Sequence, residues 1–184
     1  GPGGTDNPAA PYHSLKLAAA ELLGKIGAQG LRAYELEYGS IASKLLEAAR
    51  QDGGSELLEE IARKYLHSKA GRQAAYSLGN RSLDKGQTLM AAMRYEQLRK
   101  LNATEFEPLL SIRAALAWAR IGQPRRAAKI LAAMTAADRG KLTARKGPLA
   151  TALSHRAQDD VVRSLAGLSE KQLSSNGEVT GNWV

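Results

Sequence analysis

His13, His67 and His155 are the first residues to test for acid–base or metal chemistry, and their spacing serves neither. Two ligands on one helix face need an i, i+3 or i+4 interval. Only His155, with Asp159 four residues on, comes near it, and all three read as surface histidines. Glu35 with Glu37, Glu59 with Glu60, and Asp159 with Asp160 are paired carboxylates. Glycoside chemistry needs two carboxyls facing each other across a cleft, whereas sequence neighbours on a helix diverge, so these pairs read as solvated faces. The glycine clusters at 1–4 and 24–27 match neither a P-loop nor a dinucleotide fingerprint, and no strand precedes them. Cysteine is absent, which removes the thiol nucleophile, the cysteine-ligated metal and the disulfide frame. No acid, base and nucleophile converge. The expectation is a chain that is not an enzyme and carries no cofactor or metal.

Charge is the second kind of chemistry available. Of the 26 basic residues, nine fall between 109 and 149, where there is a single acidic one. Arg125, Arg126, Lys129, Arg139, Lys141, Arg145 and Lys146, with Arg113 and Arg120 before them, form a candidate basic patch. Such a patch speeds encounter with an acidic partner or neutralises phosphates with a steep salt dependence. No recognition helix, RNA-binding motif or aromatic stacking platform accompanies it. Nucleic-acid or polyanion binding through 113–146 therefore stands as the alternative to a solvated face, or to a dock for an acidic surface of the same polypeptide.

The elements that must position these residues repeat. Residues 70–137 nearly match themselves at a shift of 36: Gly86 meets Gly122, Ala91 and Ala92 meet Ala127 and Ala128, Tyr95 meets Leu131, and Leu98 meets Met134. A period of this length in an Ala/Leu-rich chain means stacked helix pairs. In each unit a first helix carries a small residue (Gly79, Ala115), turns at a glycine seven positions later, and enters a second helix through paired alanines. Small side chains let two helices approach to the close end of about 8–10 Å. Gly86 and Gly122 suit a left-handed stop, and Pro124 suits the first turn of the helix that follows. The expected fold is all-α, a right-handed stack of antiparallel helix hairpins.

This spacing of small residues, turn glycine, paired alanine and aromatic resembles the tetratricopeptide repeat. In that register the inner groove wall carries Gln73, Tyr76, Asn80 and Asp84 from the earlier unit, then Leu109, Ile112, Leu116 and Arg120 from the later one, with Arg113 beside them. Asn80 and Arg113 fall where carboxylate-clamp members place asparagine and a basic residue, but Tyr76 replaces the lysine. The resemblance implies a groove for a protein or peptide partner. The bland alternative is a stripe packed against the flanking helices 12–50.

Around the repeat, residues 1–11 read as a disordered lead and 12–168 as one helical domain, with units near 39–66, 70–101 and 106–137 and capping helices over 148–168. A helix is expected over 12–26, a second over 31–50 with a break near Gly39, a turn at 51–54, and a helix capped by Ser55. Pro148 opens a helix to about Arg156, another runs through 157–168, and 169–184 read as a polar tail or linker to a missing downstream domain. The chain opens on Gly1 without methionine and reads as a piece of something longer. No apolar run approaches the ~18 residues that span a bilayer.

Beyond the repeat, the run LRAYELEYG (31–39), the run IARKYLHSKAG (61–71) and AYSLG (75–79) resemble the helical region of large exported bacterial proteins with PQQ-binding-like β-propeller repeats, over residues 12–135. The closing GNWV (181–184) is similar to the residues that open the propeller in such proteins. The resemblance implies an extracytoplasmic helical scaffold for assembly or partner binding. Quinone and metal sites belong to the propeller, and none transfers to this chain.

Overall fold

The computed structural model describes residues 27–144, 147–155, 158–169 and 172, which form α-helices and one 3-10 turn with no strand among them. Three helix pairs follow in chain order. The first is α1 (Ala28–Asp52) with α2 (Glu56–Lys64), and the second is α3 (Lys69–Asp84) with α4 (Thr88–Lys100). After the 3-10 turn at Thr104–Phe106 come α5 (Leu109–Arg120) and α6 (Pro124–Ala132). The shorter α7 (Ala136–Thr143), α8 (Pro148–Leu153) and α9 (Gln158–Ala166) complete the described chain. None of these helices is long and apolar enough to cross a membrane.

The turns follow from glycine. Gly86 and Gly122 have φ of 72° and 76°, a conformation that a Cβ penalises. Each turn closes with the same two backbone bonds. Gly86 donates to Leu83 (3.0 Å) and Gln87 to Ser82 (2.8 Å), and 36 residues later Gly122 donates to Ala119 (3.1 Å) and Gln123 to Trp118 (2.9 Å). Pro124 then occupies the first position of α6, where a missing N–H leaves nothing unsatisfied.

From α2 to α6 each helix packs on the next, α1 lies against both α2 and α3, and α9 lies on α5 and α6. The small residues sit at the crossings. A Cβ on Gly79 would stand 2.7 Å from Cε1 of Tyr95, whose side chain is wholly buried. Ala115 and Leu131, the same pair one unit later, are buried as well.

Four expectations are corrected or fall elsewhere. Gly39 does not break its helix, because α1 runs unbroken from Ala28 to Asp52 and so begins well before the expected unit boundary at 39. The glycine leaves room for Glu35, whose Oε1 lies 2.7 Å from where a Cβ would be and whose Oε2 accepts the Lys69 N–H at 2.8 Å, tying α1 to the start of α3. Ser55 makes no side-chain cap bond; its Oγ accepts from Arg81 (3.3 Å), which also donates to the carbonyls of Gly53 and Gly54. Ser68 is the residue that caps, accepting the Gly71 N–H at 3.0 Å. The helix opened by Pro148 ends at Leu153 rather than near Arg156. The lead, the expected helix over 12–26 and most of the tail lie outside the described residues.

Candidate functional site

The residues expected on the groove wall come together, but on one another. Asn80 Oδ1 accepts two hydrogen bonds, from Tyr95 Oη (2.9 Å) and Arg113 Nη1 (2.9 Å), and Arg113 Nη1 also donates to Tyr76 Oη (2.8 Å). Tyr76 stacks on Phe106 with ring centres 4.5 Å apart and planes 8° from parallel. The guanidinium is thus held by neutral oxygens of its own chain, which is charge-assisted bonding of the stronger kind. Further along the wall Ile112 and Leu116 are wholly buried. Arg120 donates to the carbonyls of Ala166 and Leu168, so α9 is fastened to this side of the stack. Gln73 is partly buried and Asp84 exposed.

The expected basic patch divides. Arg125, Arg126 and Lys129 are exposed on α6. Arg126 lies over the Trp118 ring at 4.3 Å, a cation–π contact, while the indole N–H reaches Glu96 at 3.3 Å. Arg139 turns back to the Leu131 carbonyl, and Lys141 pairs with Asp138 at 3.0 Å, holding that carboxyl below its usual value together with Thr135. Arg145 and Lys146 lie outside the described residues.

A different surface opens on the side formed by the second helices. A recess of about 600 Å³ lies between α2 and α4, lined by Glu56, Glu59, Glu60, Ala62, Arg63, Arg94 and Gln97. Arg94 spans it, donating through Nη2 to both oxygens of Glu59 at 2.5 and 2.7 Å, while its buried Nε meets no hydrogen-bond acceptor among the described residues. One helical turn before Arg94 and Gln97 stand Met90 and Met93, 49% and 58% exposed, beside Leu89 at 53%. Residues four apart share a helix face, so the recess and the Leu/Met surface are continuous along α4.

The same burial pattern recurs on the three second helices. Ile61 and Ala62 of α2, with Tyr65 just after it, point inward as Ala91, Ala92 and Tyr95 of α4 do, and as Ala127, Ala128 and Leu131 of α6 do. The outward positions that correspond to Leu89, Met90 and Met93 are then Glu59, Glu60 and Arg63 on α2. On α6 they are Arg125, Arg126 and Lys129. Glu59 of α2 pairs with Arg94 of α4, and Trp118 of α5 touches both Glu96 of α4 and Arg126 of α6. Leu89, Met90 and Met93 thus stand where α2 carries Glu59, paired with Arg94, Glu60, paired with Lys64 at 2.6 Å, and the exposed Arg63, and where α6 carries three exposed bases.

The sequence reading passed over Leu89, Met90 and Met93, although the 36-residue shift sets all three against bases. That substitution of apolar for charged side chains at solvent-facing positions was the available signal. α1 also exposes apolar side chains, Leu36 above all. It borders the residues before 27, outside the described chain, whereas the helices on both sides of α4 are described.

No group of three or more metal-ligating side chains gathers among the described residues. Comparisons of the chain with known protein families, with curated proteins and with solved structures find no match.

Proposed function

We propose that this chain is a non-catalytic protein-interaction module, a stack of hairpins of the tetratricopeptide-like kind, and that it binds protein through the outer face of α2, α4 and α6. The observation that carries the reading is the exposure of Leu89, Met90 and Met93 together on the central helix, flanked by described helices on both sides. Flexible thioethers fit irregular apolar partners, and the bases exposed on α6 favour a partner that carries acidic groups beside its apolar surface. In an exported bacterial protein of the kind resembled above, the partner includes a neighbouring domain of the same polypeptide. The polyanion alternative draws on Arg125 and Lys129, since Arg126 lies on Trp118 and Arg139 and Lys141 are engaged within the chain.

A photo-crosslinking residue placed at position 93, and separately at position 84 on the inner side, tests the reading in cells making the protein. Discrete adducts from 93 and none from 84 are expected. Adducts from 84 alone would move the interface to the inner groove.

A further inference from the structure

We propose that residues 12–26 fold back on α1 as the second helix of a preceding hairpin and cover the stripe formed by Leu31, Tyr34, Tyr38 and Ile41. The inference does not depend on the outer-face reading above. It starts from an inequality between units. Gly53, Gly86 and Gly122 are the left-handed residues that follow the three first helices. Twelve and eight positions before Gly86 stand Ala74 and Leu78 of α3, and the same count from Gly122 reaches Leu110 and Ala114 of α5, all four buried. In each case the helix before, α2 or α4, packs on the one that carries them. The same count from Gly53 reaches Ile41 and Leu45 of α1, but Ile41 is 49% exposed and Leu45 only partly buried. Eleven positions before their glycines, Ala42 and Ala75 are both wholly buried, so the core side of α1 keeps the pattern. α1 thus repeats the apolar face of α3 and α5 without a described helix in front of it.

The chain just before α1 supplies the occupant. Leu31, Tyr34, Tyr38 and Ile41 climb α1 in steps of three, four and three residues, which makes one stripe. Leu31, Tyr38 and Ile41 are exposed and Tyr34 partly so, its Oη donating to the Lys64 carbonyl at 3.1 Å. Counted backward from α1, Leu22, Ala19, Leu15 and Tyr12 fall in the same three steps. Residues equally far from the turn of an antiparallel hairpin stand at one level, so Leu22 meets Leu31, Ala19 meets Tyr34, Leu15 meets Tyr38 and Tyr12 meets Ile41. Gly27, the residue before α1, is extended (φ −59°, ψ 179°), so the helical path stops there and a turn has its place. A 15-residue helix spans ~22 Å, enough for the ~15 Å between Leu31 and Ile41. Beyond Ile41 no large apolar side chain of α1 is exposed, so the bare stripe ends within that reach. Leu36, 86% exposed, lies about 140° round the helix from Ile41 and outside the stripe.

Amide hydrogen exchange of the whole chain, read peptide by peptide, tests the proposal. In the wild type the amides of 12–23 should exchange at least about tenfold more slowly than in a free peptide of that sequence. Ile41→Glu sets a carboxylate beneath the segment and should abolish this protection, while α3 to α6 keep theirs. Leu36→Glu, on the same helix but outside the stripe, should leave it unchanged. A second measurement asks whose segment covers the stripe. The chain has no cysteine, so Leu15→Cys and Tyr38→Cys introduced together have only each other to bond with, and a disulfide needs their Cα atoms within about 7 Å. Oxidation in dilute solution should link them within one chain, whereas Leu15→Cys with Leu36→Cys should stay reduced. An unprotected segment in the wild type, protection that survives Ile41→Glu, or an equal loss in both glutamate variants overturns the proposal. So does a disulfide that joins two chains, which would make the occupant a second copy's segment, or one that forms equally in both cysteine pairs or in neither.

Discussion

Gly79 and Tyr95 are coupled by size, and their partners one unit later, Ala115 and Leu131, show the compensation. A buried tyrosine ring faces the residue with no side chain, and the smaller leucine stands at the position paired with alanine. Adding a methyl at Gly79 improves helix propensity by about 1 kcal/mol, while overpacking a fixed ring costs about 1–3 kcal/mol. Gly79→Ala should therefore destabilise the chain by about 1 kcal/mol in urea unfolding. The same change made in a Tyr95→Leu background should cost less, which a double-mutant cycle measures. His67 supplies a pH dependence. Burial, then the nearby Arg72, pushes its imidazole below the ordinary value of 6.5. The unfolded chain takes up that proton first on acidification, so the contribution is complete above pH 6.5 and is lost as pH falls through the folded value. The thermal midpoint should drop between pH 7 and pH 5, and less so in His67→Asn; an equal drop in both would assign the loss to other groups.

At the scale of elements, Gly86 and Gly140 make a paired experiment. A Cβ meets nothing within 4 Å at either position, but Gly86 has φ of 72° and Gly140 lies inside α7. Gly86→Ala should cost about 1–2 kcal/mol for the left-handed backbone, whereas Gly140→Ala should stabilise by about 0.5–1 kcal/mol. Chemical unfolding of the two variants gives opposite signs if conformation decides, and equal signs if space does. These turns were legible from the 36-residue shift because a left-handed stop leaves a glycine at a fixed place in each unit. Gly39 was not, since its reason is a side chain from one turn earlier reaching across to α3. Ser55 misled in the same way: the residue type suits a cap, and Arg81, 26 positions away, takes its oxygen. A pattern within one element shows which way it faces. It does not show which distant side chain arrives there.

At the scale of the molecule, the excess positive charge was legible as a block in the sequence, but its arrangement was not. Folding sends Arg113 into a network with Tyr76 and Asn80, turns Arg139 onto a carbonyl, and leaves Arg125, Arg126 and Lys129 as one flank of an outer face. The inner stripe that the repeat register marks as a groove has Ile112 and Leu116 in the core and α9 tied across its far end by Arg120. What remains open lies on the opposite side, centred on α4. The account stands on that face being the one covered when the protein is assembled. Of the three methionines, Met90 and Met93 are exposed there and Met134 is partly buried elsewhere. Brief hydroxyl-radical oxidation, followed by peptide mass analysis, reads all three at once as sulfoxide. In the dilute purified chain Met90 and Met93 should oxidise faster than Met134, and in cells making the protein their oxidation relative to Met134 should fall several-fold. Equal relative oxidation in the dilute chain and in the cell would contradict the account.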